Sequence, residues 1–447
     1  MIYNFDVEKG ILTIYSYEKN TQDDFDFKQE IKNNVKELVL QEGIEVFYSG
    51  AKESPNLVKV NLPQTLKNIC RGAFSGCKSL EEIEIPESVQ KIGFETFFKC
   101  EKLKKVKLPN RLHKIEKGTF SSCELLEEIK LPNKLKEINN VAFSNCNSLK
   151  KLDLPNSLKK IDVAAFFQCK SLDNVIIPNG IEEIEASVFQ GCQSLKNIVL
   201  PKFLFKIGVS AFSYCTSLEK IDLPYFVSYI NQKAFKGCSS LKEINHFDNI
   251  FFIKAEAFKD CTSLEKISLP TNLETISSKT FSNCVSLKEI KLPDKVTVIE
   301  NFAFSDCEGL ESITFSNSLK QIEEYAFSNC SSLQLIEITP NVTTINSNAF
   351  EKCNNLHGVY LPKSLKCFEK DVFKDCPNLS QIVVEKGISD KIVEQLHEEY
   401  PKVKIKIFNE EYEQIRQSNK NGMEPYLKNL WKKKEKQFNK NNDENIK

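Results

Sequence analysis

Apolar side chains recur along this chain at a fixed interval, and the interval predicts the elements. Fourteen cysteines stand at 77, 100, 123, 146, 169, 192, 215, 238, 261, 284, 307, 330, 353 and 376, each 23 residues after the last with no insertion or deletion. Three residues after every one of them comes Leu, from Leu80 to Leu379. Six residues after comes Ile, Val or Leu (Ile83, Val106, Ile129, Leu152). Eight after is usually Leu or Ile, and nine after is usually Pro. The alternation in this half suits a strand with one buried face, and the Pro, which has no N–H to give, ends it. In the second half an Ile recurs from Ile69 to Ile345, with Phe368 as the last of the series. A Phe stands three residues before each Cys, from Phe74 to Phe373. Such a period, held over so many copies, marks a solenoid whose units bury their apolar edges only against their neighbours. The expected fold class is a repeat solenoid, α/β or mainly β, in which like side chains stack into ladders. Phe, the largest of them, fills the core beneath the turn.

The consensus L-x-x-I-x-L-P-x-x-L-x-x-I-x-x-x-A-F-x-x-C, well represented by Cys169–Phe189 (C-K-S-L-D-N-V-I-I-P-N-G-I-E-E-I-E-A-S-V-F), resembles the BspA-type leucine-rich repeat over about residues 35–384. That family comprises bacterial and protist surface and interaction proteins. The resemblance implies a right-handed coil with a parallel sheet on its concave face, a cap at each end, and binding roles such as adhesion to host or matrix proteins. It carries over no catalytic residues. A composition rich in Lys, Asn and Ile is of the kind an AT-rich genome such as a protist's gives.

Four segments are expected. Residues 1–56 form an N-terminal cap: a hairpin over Asn4–Tyr17 turning at Glu8-Lys9-Gly10, then a degenerate repeat at Lys36–Val46. Residues 57–384 are the solenoid. Residues 385–408 form a C-terminal cap, with a helix over Ser389–Tyr400 that has Ser at its N-cap and ends at Pro401, and an edge strand over Val403–Phe408 guarded by Lys. Residues 409–447 form a basic, partly helical or disordered tail. There Tyr426, Leu427, Leu430 and Trp431 precede K-K-K-E-K. Packing on the solenoid, disorder, and contact with a partner or an anionic membrane all remain open for it.

Composition narrows the function classes. The 61 basic and 61 acidic side chains cancel, which gives no general drive towards nucleic acid. No apolar run approaches the ~20 residues of a membrane helix, and the first ten residues lack the basic and apolar regions of a secretory signal. The cysteine ladder is expected to be reduced. Neighbouring sulfurs would project in parallel and bond only with strain, and a free thiol serves as a small buried apolar group. Cys70 and Cys367 lie off the ladder and are the expected exposed thiols. A thiol state suits a reducing compartment, so a cytoplasmic location is expected, with unconventional export to the surface as the alternative. His113, His246, His357 and His397 are many coils apart. No nucleophile-base set, metal site or phosphate-binding glycine loop can be assembled, so neither enzyme activity nor any cofactor is expected. His246, in a slot that elsewhere holds buried Leu, is expected to accept a local hydrogen bond. Surface positions alternate in sign from coil to coil (Glu81-Glu82, Lys104-Lys105, Glu127-Glu128, Lys150-Lys151), as expected for cross-strand pairing that holds register.

One section departs from this. Between 201 and 252 the surface positions become aromatic: Phe203, Phe205, Tyr225, Phe226, Tyr229, Phe251 and Phe252. Phe203 and Phe226 share one repeat position, and Tyr229 and Phe252 another. Upstream, Ile176 and Val199 place apolar groups where charge is usual. A contiguous patch of this kind marks an interface, for a protein ligand or a second copy. The competing reading has a local bulge tuck these rings against each other or against the tail.

Overall fold

The computed structural model describes residues 1–17, 27–246 and 248–408. The predicted tail, Trp431 included, and Phe247 lie outside the described residues. The chain forms a parallel-strand β-solenoid with little helix, divided into two compact units, Met1–Phe252 and from Ile253 onward.

In the first unit most coils contribute two very short strands. After Cys192 these are Asn197–Val199 and Lys206–Ile207. The first follows from the alternation in the sequence. The second, at the recurrent Ile, was not legible as a strand because it is only two residues long. Pairing is parallel and brings like residues together: Ile115, Ile138 and Ile161 lie side by side, as do Val175 and Ile198. Ile115, Ile138 and Ile161 are at most 2% exposed, and Ile198 is 9% exposed. On the opposite side of the coil the phenylalanines stack in a column. Phe97 and Phe120 lie 5.4 Å apart with planes 4° from parallel, and Phe189 and Phe212 lie 5.7 Å apart at 3°. These separations suit offset rings.

The backbone around that column is not extended. The residues five and one before each Cys, such as Glu95 and Lys99 or Val141 and Asn145, have φ between 49° and 76°. These left-handed residues, rare for side chains other than Gly, Asn and Asp, turn the intervening Ala-Phe pair inward. The turns are hydrogen-bonded from coil to coil: Phe97 N–H donates to Thr119 O at 2.9 Å, and Phe120 N–H to Ala142 O at 2.8 Å. The cysteines add a rung that sequence did not reveal. Cys100 Sγ donates to Phe74 O at 3.2 Å, and Cys215 Sγ to Phe189 O at 3.2 Å. The same Phe74 carbonyl accepts the N–H of Cys77. The thiol therefore acts as a compact donor as well as an apolar filler.

The first unit opens on β1 (Ile2–Asp6) and β2 (Ile11–Ser16), antiparallel about Gly10. Gly10 has φ +68°, and a Cβ there would meet Asn34 O at 2.8 Å, so Gly is required. β2 then pairs in parallel with β3 (Glu37–Leu40), after the short helix α1 (Gln29–Asn34). Phe47 packs on Phe74 at 5.1 Å and begins the ring column. The paired charges are present: Lys104 meets Glu81 at 3.0 Å and Lys206 meets Glu183 at 2.7 Å.

The second unit repeats the design. Its ring column runs from Phe258 on Phe281 (5.7 Å) to Phe350 on Phe373 (5.8 Å), with thiol rungs such as Cys284 Sγ to Phe258 O at 3.3 Å. It finishes with α2 (Asp390–Glu399) and a strand, Lys404–Phe408, close to the predicted bounds. Ser389 sits at the N-cap but its side chain makes no cap hydrogen bond. Ile392 and Leu396 are buried. Where the next coil would supply a carbonyl, the Tyr400 hydroxyl accepts the Phe373 N–H at 3.0 Å, and Glu399 accepts the Asp371 N–H at 3.2 Å.

Candidate binding surface

The aromatic section lies wholly in the first unit, and the repeat explains why its rings face out. Phe203 and Phe205 flank Leu204, Phe226 precedes Val227, and Phe251 follows Ile250. Leu204 and Val227 are fully buried and Ile250 is 1% exposed. Residues adjacent to an inward side chain must point away from the core.

The seven rings are 38–72% exposed, with Tyr225 the most open. Phe203 and Phe226 lie 5.9 Å apart, and Tyr225 stands edge-on to Phe226 at 5.4 Å. Tyr229 stacks on Phe252 at 5.0 Å. Phe205 and Phe251 occupy one repeat position two coils apart, with Ser228 between them, whose N–H donates to Phe205 O. Ile176 and Val199 are paired in register on neighbouring strands and are 68% and 55% exposed. The rings thus touch in two clusters. Each ring keeps more than a third of its surface open.

The rim is polar. Asn197 donates to Asn174 at 2.8 Å beside Ile176, and Asn245 donates to Asp222 at 2.7 Å. Lys242 pairs with Glu219 at 3.3 Å. The Glu183 carboxylate holds the Lys206 ammonium above its usual range. Tyr214, 44% exposed, is a further open ring that sequence reading passed over. Its signal was an aromatic one residue before a Cys, a place often held by Gly, Asn or Asp. A Cβ on Gly237, the equivalent residue one coil on, would come within 2.6 Å of the Tyr214 ring.

His246 lies at the position that elsewhere holds a buried Leu. It does not fill the buried slot: it is exposed, with φ +58°, so the chain turns outward where Leu would have turned in. This irregular coil directly precedes the division between the units. As for nucleophiles, burial pushes Cys77, Cys169, Cys238 and Cys307 up to about 12, and others of the ladder well above their ordinary value. All sixteen cysteines are free. Cys367 is exposed, and Cys70 and Cys376 are half-buried. Cys376 is half-open because no further Cys follows it on the ladder. Among the described residues no group of His, Cys, Asp and Glu could hold a metal ion, and no helix is long and apolar enough to cross a membrane.

Comparison with known families assigns residues 44–173, 163–288 and 274–395 to the BspA type leucine rich repeat region, in six copies. The chain belongs to the BspA-type leucine-rich repeat family. Among solved structures it is similar to a leucine-rich repeat protein from Bacteroides ovatus, with a TM-score of 0.62 and 24% identity over 91% of this chain and 98% of that one. A leucine rich cell surface protein from Faecalibacterium prausnitzii matches with a TM-score of 0.48 and 23% identity over 88% and 94%. The match to the Bacteroides ovatus protein, at this identity, shows the fold and no more. A comparison with curated proteins gave no match.

Proposed function

We propose that this BspA-type repeat protein is a non-enzymatic scaffold that recognises another protein, with the aromatic patch as its contact surface. The observation that carries this is the exposure of seven rings over adjacent coils of a molecule whose other surface positions are mostly charged. Exposed aromatics ringed by polar groups are the composition of binding hot spots. The buried, protonated thiols support a structural role for the ladder rather than a chemical one.

The test is capture from cell extract by the full chain and by a Phe203→Ser, Phe226→Ser, Phe252→Ser variant. All three rings are exposed, so the fold should hold, checked by an unchanged melting curve. Loss of several hot-spot rings should weaken the captured partner at least about thirtyfold. An identical partner set, held equally well, rejects the patch as the interface. Family membership favours a second reading, a surface adhesin binding host or matrix proteins. Biotin labelling of intact cells separates the two: label on the chain supports the adhesin, and protection supports the intracellular scaffold.

A further inference from the structure

Among the described residues the first and the last strand of the chain are each paired on one side only. The final strand, Lys404–Phe408, is paired on one side only, with Gln381–Glu385. At the other end β1 pairs on one side only, with β2. An open strand edge is a template for a further strand, and proteins normally blunt it.

The faces of the two edges match. Ile405 lies opposite Ile382 and Ile407 opposite Val384, both fully buried, so these two isoleucines continue the interior row. Nothing among the described residues covers the row there, and Ile407 is 61% exposed. In β1, Phe5 lies opposite Leu12 and Tyr3 opposite Ile14, at 1% and 0% exposure, so they too extend an interior row. Tyr3 packs edge-on to Phe27 and remains 41% exposed. On the outer face the final strand carries Lys404 and Lys406, and β1 carries Asn4 and Asp6.

The strand senses match as well. β1 runs antiparallel to β2, while β2 and β3 are parallel. A second copy docked with its β2 along the direction of the final strand must present β1 antiparallel. In that sense Asp6 falls opposite Lys404, Phe5 opposite Ile405, Asn4 opposite Lys406 and Tyr3 opposite Ile407. Apolar then meets apolar inside, and outside Asp6 meets Lys404 while the Asn4 amide meets Lys406.

Charge selects this pairing over the alternatives. Residues 1–56 hold eleven acidic and six basic side chains, whereas residues 402–408 hold three lysines and no acid. Two final strands edge to edge would set lysine against lysine, which is destabilising. We infer that the final strand accepts the β1 edge of a second copy as its next strand, giving head-to-tail association of this chain. The lysines act as a selective gate, repelling other basic edges and admitting the acidic end. The contact is heterologous, since one copy offers its final strand and the next its β1.

Sedimentation velocity on the untagged full chain, across concentration and at low and high salt, tests this. The expected result is a series of species growing with concentration and suppressed by salt. Lys406→Glu should weaken the association about tenfold, and Asn4→Lys in the same chain should restore it by giving the new carboxylate a cation to face. The Phe203→Ser, Phe226→Ser, Phe252→Ser variant should associate as the parent does, which keeps this contact separate from the proposed partner surface. A monomer at every concentration overturns the inference. So does association that ignores Lys406→Glu, or that is lost in the aromatic variant.

Discussion

At the scale of single residues, backbone and thiol chemistry decide more than hydrophobicity does. Val141 has φ 49°, a left-handed conformation that costs an L-residue roughly 1–2 kcal/mol. Val141→Gly should therefore stabilise the protein by about 0.5–1 kcal/mol in urea unfolding, after the entropic penalty of Gly. The buried thiols make stability pH-dependent, and the sign follows from their direction. Their ordinary value is 9.0, and Cys77, Cys169, Cys238 and Cys307 are raised to about 12 in the fold. The native state keeps protons that the unfolded chain loses, so this contribution is complete below about pH 9 and declines from there towards pH 12. Each such thiol removes about 1.4 kcal/mol per pH unit in that window. Urea midpoints between pH 8 and 11 should fall steeply, and less steeply in Cys169→Ala. That substitution should also cost about 1–2 kcal/mol at pH 7, for the lost hydrogen bond to Phe143 O and the small void. The sequence showed where the sulfurs lie, because periodicity is a property of sequence. It could not show that they donate to carbonyls, because that depends on where the preceding coil's backbone sits.

At the scale of elements, the repeat needs something to end on. The strand edges, the ring column and the turn N–H groups all require partners that the next coil normally supplies. Helix α2 provides them at the C-terminal side, with the Tyr400 hydroxyl in place of a carbonyl. Tyr400→Phe should leave the Phe373 N–H without its acceptor and cost about 1–3 kcal/mol, read from thermal or urea unfolding. Removing a ring from within a column should cost more: Phe143→Ala, between Phe120 and Phe166, about 3–5 kcal/mol. The helix and final strand were legible from an apolar stripe before a Pro and from the alternation in V-K-I-K-I-F. The Tyr400 contact was not, because it joins residues 27 apart through a side chain outside the repeat. The aromatic section was legible as an exception to the pattern. That its rings stand open followed only once Leu204, Val227 and Ile250 were seen to be buried beside them.

At the scale of the whole molecule, the coil is a surface built from repeated positions, and the contacts proposed for it lie where the repeat is broken. The aromatic coils, the outward His246 and the strands β1 and Lys404–Phe408, each paired on one side only among the described residues, are such breaks. Each is visible in the sequence as a departure. Everything rests on like side chains lying over one another with every thiol free. Titration with an aromatic disulfide reagent, without reductant, measures this most directly. In the native protein Cys367 should react fast and Cys70 and Cys376 more slowly, with the other 13 of the 16 protected until denaturant is added. After denaturation all 16 should titrate. Fewer than 16 in denaturant, or rapid reaction of most thiols in the folded protein, would contradict the ladder and the binding role inferred from it.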